Sequence, residues 1–159
     1  MKNKVIFVCF DGLLSDLGSA QIIPYCNLIK NFADLKICSL EKASKVNKNK
    51  QLFLKDKSYK FDIYDESKNS ALRFFRNFFK LYKLTNLTIS KQKPNIVHCR
   101  SYVPMMIVCL IKLFIKFDFK IIFDIRGFFF KERLENIKKF LSIFLNPVFA
   151  LIEIYLFRN

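Results

Sequence analysis

Three short stretches gather residue types that can hold charge or approach a ligand closely. DGLLSDLGSAQ (11–21) sets Gly12 and Gly18 in one loop, with Ser19 and Gln21 just behind. Glycine lets a backbone come near a bound group, so such a loop can serve a ligand or simply a tight turn. HCRSYVP (98–104) places the only histidine of the chain, His98, two residues before Arg100. DIRGFF (124–129) ends an apolar run in Asp124, Arg126 and Gly127. An acid, a base and a glycine at the close of a buried segment suggest that it emerges into a binding crevice.

Elements with distinct periods must carry these stretches. Apolar runs at 4–10, 35–40, 95–99 and 119–125 read as strands, with a shorter one at 60–64. Helical spacing appears over 20–33, where Pro24 limits the first turn, over 72–84, and over 103–117; a long segment at 131–157 is interrupted by Pro147. The helix at 72–84 gathers Phe74, Phe75, Phe78, Phe79 and Tyr82 opposite Arg73, Arg76, Lys80 and Lys83. Its aromatic side is expected to pack on the sheet. Residues 42–60 hold seven lysines and read as a solvated connection.

Strands that are apolar on both faces belong to a mainly parallel sheet covered by helices on each side. The expectation is an α/β, Rossmann-like, doubly wound fold in a single domain over 1–159. In such sheets ligands bind beyond the carboxyl ends of the strands, where all three stretches fall. Each also has a plainer explanation. Gly12 and Gly18 match neither the dinucleotide fingerprint nor the P-loop. His98 closes an apolar strand, where a histidine is commonly a core residue. Asp124 and Arg126 could join Arg100 in a structural charge network.

Composition narrows the classes. With 159 residues and 52% hydrophobic content, the chain can bury one real core. A formal charge of +15 invites a polyanionic partner, although heavy use of Lys, Asn, Ile and Phe with little Gly or Pro also follows from base composition alone. No nucleic-acid recognition motif appears, and specific nucleic-acid binding ranks last. The five cysteines are dispersed without a C-x-x-C pair, as expected of reduced thiols in a cytoplasmic protein, and one histidine makes a metal site a poor prospect. No signal-peptide core is present, and the uncharged runs at 17–29 and 140–152 fall short of the ~20 residues that span a bilayer.

FDGLLSDLGSAQIIPYCNLI, PNIVHCRSYVP and KIIFDIRGFFFKERLE together resemble, in order and spacing, the amino-terminal half of glycosyltransferase family 4 enzymes of the GT-B fold. The resemblance implies the acceptor side of a retaining sugar transferase, with a nucleotide sugar as substrate, a glycan or lipid-linked acceptor, and no cofactor or metal. It places Gly12, Gly18, Ser19 and Gln21 near the donor diphosphate, and His98, Arg100, Asp124, Arg126, Gly127 and Glu132 along the acceptor side of the cleft. Arg100 stands where many members carry a second histidine. No catalytic residue is assigned. The donor-binding domain of that family has no counterpart in the sequence, which implies a missing second domain or partner chain and no transfer by these residues alone. The rival expectation is a non-catalytic basic module on an anionic membrane surface, suggested by the aromatic and cationic faces of 72–84.

Overall fold

Five consecutive apolar residues from Val5 to Cys9 require cover on both sides of a strand. In the computed structural model that strand, β1 (Asn3–Cys9), lies at the centre of a five-stranded, all-parallel sheet. The others are β2 (Ala33–Lys42), β3 (Tyr59–Tyr64), β4 (Ile96–Arg100) and β5 (Lys120–Asp124), in the spatial order β3-β2-β1-β4-β5. The helices are α1 (Ile23–Phe32), α2 (Ser70–Gln92) and α3 (Tyr102–Phe114). The described residues are 2–46, 58–64 and 70–125. They belong almost wholly to the first of two compact units, Met1–Asp124 and Ile125–Asn159. The expected helical segment at 131–157 lies outside them.

Side chains alternate across a strand, so β1 divides its apolar residues between two layers. Val5, Phe7 and Cys9 join Leu35 and Ile37 of β2 in a core closed by Ile22 and by Cys26 of α1. Ile6 and Val8 point the other way, where α2 and α3 pack on each other; Cys38 of β2 meets Thr85 and Thr88 of α2 on that side. Helices therefore cover both faces of a Rossmann-like sheet.

Two local features shape the helices around the sheet. The first helical turn is a π-turn, Gly18–Ile22, closed by the Ile23 N–H on Gly18 O. Pro24 has no N–H for the carbonyl four residues back, which favours the wider register at this point. The second is the face that α2 buries. Asn77, Leu81, Thr85, Thr88 and Ile89 turn inward, whereas Phe75 and Phe79 are 60% and 64% exposed. Small side chains at 85 and 88 let the helix approach the sheet, and of the five aromatic rings Phe74, Phe78 and Tyr82 are half-buried at the flank of that contact. Among the described residues, no helix is long and apolar enough to cross a membrane.

All five cysteines are free. Burial holds the Cys9 and Cys99 thiols well above their ordinary value, and pushes Cys26 up to about 12 and Cys38 to about 11. An unfolded thiol ionises near 9.0. Above that pH the unfolded chain binds fewer protons than the folded one, so this stability is intact below pH 9 and falls as the pH rises towards about 12. Urea midpoints should decline across the window, and Cys26→Ala should flatten the decline whatever its effect at neutral pH. An unaltered slope would show that the thiol is not shielded.

Candidate functional site

The chain runs outward from β1 through β2 to β3, then returns past β1 to β4. In such a sheet the crevice opens where the order reverses, between the carboxyl ends of β1 and β4. The residues after β1 reach it through a loop that folds on itself. Gly12 O accepts from Ser15 N at 3.1 Å and from Ser15 Oγ at 2.6 Å. Ser15 Oγ accepts from Gly18 N at 2.9 Å, and Ser15 O from Ser19 N at 2.8 Å. The exposed Ser19 turns its hydroxyl back to Asp16 O.

Glu41 fixes this loop from the neighbouring strand. It is fully buried at the end of β2, and its two carboxyl oxygens accept from Leu13 N at 2.9 Å and Leu14 N at 3.1 Å; Ser39 Oγ donates to the first at 2.8 Å. A Cβ on Gly12 would lie 2.6 Å from Glu41 Oε2, and one on Gly18 would run into Gly12 O. Both glycines thus permit close contacts inside the protein. The N–H groups of residues 13, 14, 15, 18 and 19 are bonded within the fold.

Beyond the loop lie two polar residues of β4. Even-numbered residues of this strand face α1, so His98 and Arg100 share one side. His98 is buried against the Phe7 ring at 4.9 Å and the Tyr25 ring at 5.4 Å, and its Nδ1 is 3.1 Å from Tyr25 Oη. Arg100, only 3% exposed, donates from Nη2 to Gln21 Oε1 at 3.1 Å. It forms no ion pair among the described residues. A guanidinium has five N–H donors and is always charged, so burial without a carboxylate is costly unless something else supplies the negative charge.

Next in the chain, Ser101 has φ 75° and ψ 170°, a region that glycine alone enters readily. Its N–H bonds Asp124 O of β5 at 2.9 Å, and its own O accepts from Met105 N at 3.3 Å. The strained turn starts α3 directly after Arg100, and no side chain caps the first turn of this 13-residue helix. The positive end of a helix dipole therefore lies next to a buried cation, an arrangement that suits an anion.

Of the residues expected to form the site, Gln21, His98 and Arg100 come together; Asp124 is the register partner of Arg100 on β5. Gly12, Gly18 and Ser19 build the loop that carries Gln21. Arg126, Gly127 and Glu132 lie outside the described residues. Sequence reasoning missed Glu41, Ser15, Tyr25 and the strain at Ser101. Only Glu41 carried a signal: an acid at the end of an apolar strand, as notable there as Asp124. On its β2 side the loop also borders a cavity of ≈ 280 Å³, lined by Asp11, Gly12, Glu41, Lys42 and Lys45 among others. Among the described residues, no cluster of His, Cys, Asp and Glu could hold a metal ion. No protein-family model and no curated protein matches the chain.

Two substitutions separate loop support from strain. Glu41→Gln turns an amide donor towards a backbone N–H and should lower stability by about 1–3 kcal/mol in urea unfolding. Ser101→Gly should raise stability by about 1 kcal/mol, because glycine enters the same backbone region freely. A Ser101→Gly variant less stable than the parent would rule out strain at that turn.

Proposed function

We propose that this chain is the acceptor-side half of a retaining glycosyltransferase of family 4, GT-B type. In this reading it works in the cytoplasm with a nucleotide sugar and a glycan or lipid-linked acceptor. The observation that supports it is Arg100: a buried guanidinium with one described hydrogen bond and no ion pair among the described residues, at the reversal point of a Rossmann-ordered sheet. An anionic substrate group entering there would neutralise the cation and meet the amino-terminal end of α3. Gln21 orients the guanidinium, and Tyr25 fixes the His98 ring along the same wall. Free thiols, four of the five buried, suit a reducing compartment.

Sugar transfer in a two-domain cleft draws on both walls, since only groups that act together on the transition state lower its barrier. This chain supplies the acceptor-side wall. Turnover therefore requires a donor-binding domain opposite, and the 159 residues alone should bind anionic substrate groups without transferring sugar.

Arg100→Met is the sharpest test. It keeps the length of the side chain and removes a buried charge, so the free protein should become more stable. At the same time, the thermal stabilisation that pyrophosphate, UDP or GDP confers on the parent should disappear. A less stable Arg100→Met variant, together with no stabilisation of the parent by any of these anions, would make Arg100 a structural residue and remove the basis of this proposal.

A further inference from the structure

Helix α2 turns to solvent a face that the sheet does not use. Phe75 and Phe79 lie one turn apart on that side, and Lys83 and Leu87 continue the same line at four-residue intervals, all of them exposed. Over 23 residues α2 carries Arg73, Arg76, Lys80, Lys83 and Lys91 and no acidic residue at all. Lys80 is drawn towards β3, donating to Ile63 O at 2.6 Å and pairing with Asp62 at 3.6 Å. Arg76 and Lys83 remain exposed beside the phenylalanines without an ion pair among the described residues.

Exposed aromatic rings are disfavoured in water, and cations without neighbouring acids repel one another. An anionic bilayer answers both demands. The rings enter the boundary between headgroups and acyl chains while guanidinium and ammonium groups stay with the phosphates. A second copy of this face would instead set cations against cations. We propose that α2 docks the protein on an anionic lipid surface, with Phe75 and Phe79 inserted and Arg76 and Lys83 on the headgroups. Phe74, in the same turn, packs at 6.0 Å on Phe10, the residue that follows β1. The docking face thus lies by the carboxyl edge of the sheet, the edge that carries Arg100. Docking stands independently of glycosyl transfer.

The chain contains no tryptophan, so Phe79→Trp creates a single fluorescent reporter. Its emission should shift to the blue with phosphatidylcholine vesicles containing phosphatidylglycerol and stay unchanged with phosphatidylcholine alone. Phe114→Trp, on the exposed end of α3, should show no shift. In co-sedimentation of the otherwise native chain, Phe75→Ser with Phe79→Ser should weaken binding about tenfold or more, since two buried rings are lost. Arg76→Gln with Lys83→Gln should weaken it and reduce its salt dependence. Both pairs replace exposed side chains, and an unchanged melting temperature will verify folding. A blue shift with single-stranded RNA but not with vesicles, one that follows protein concentration without lipid, or sedimentation unaffected by the double serine variant would each overturn the proposal.

Discussion

The Glu41 carboxyl group holds the candidate site together. Strands β1 and β2 are adjacent and parallel, and a side chain at the end of one can reach the loop leaving the other. By accepting from two successive N–H groups, Glu41 sets the direction in which residues 12–22 depart from the sheet. Everything downstream depends on that direction: the Ser15 brace, the π-turn, the approach of Gln21 to Arg100 and of Tyr25 to His98. The same contact leaves no room for a side chain at position 12, and the backbone of Gly12 and Leu13 leaves none at position 18. In many Rossmann-like sheets an acid at this strand end faces a ribose. Here it faces inward, to the N–H groups of Leu13 and Leu14.

On the β4 side of β1 two unfavourable features lie in consecutive residues. A buried arginine with no carboxylate partner among the described residues resists desolvation, and a serine in a glycine-like backbone region carries local strain. Neither is needed to hold the sheet, because the ladder hydrogen bonds and the apolar layers do so. Strain and uncompensated charge persist where the surroundings enforce them, and they often mark a place that a ligand completes. The hydrogen bond from Ser101 N to Asp124 O and the packing of Tyr102 on Phe123 at 5.1 Å tie this turn to β5. Those contacts hold the turn in its strained form.

The sheet was legible in the sequence because buried parallel strands are apolar at consecutive positions, and the strand ends were legible because polar residues follow abruptly. His98, Arg100 and Asp124 were accordingly placed on the correct edge. For the glycines, spacing signals close approach but not what approaches; the contacts the structure shows at Gly12 and Gly18 are with Glu41 and the loop's own backbone. Glu41 and Tyr25 act over separations of 28 and 73 residues, which no local pattern encodes. The face of α2 was legible in part: Phe74, Phe78 and Tyr82 are half-buried, whereas hydrophobicity alone gave no reason for Phe75 and Phe79 to stay outside. Shape decided otherwise, with Thr85 and Thr88 nearest the sheet and two phenylalanines left in water.

The role proposed for Arg100 requires an anion at the junction of β4 and α3 and not on the glycine loop. The most direct measurement is a backbone amide map by nuclear magnetic resonance during titration with pyrophosphate. Saturable shifts should concentrate at Ser101, Tyr102 and Val103, with the Gln21 side-chain amide moving in parallel. Shifts confined to Leu13, Leu14 and their neighbours, or none that saturate, would contradict it.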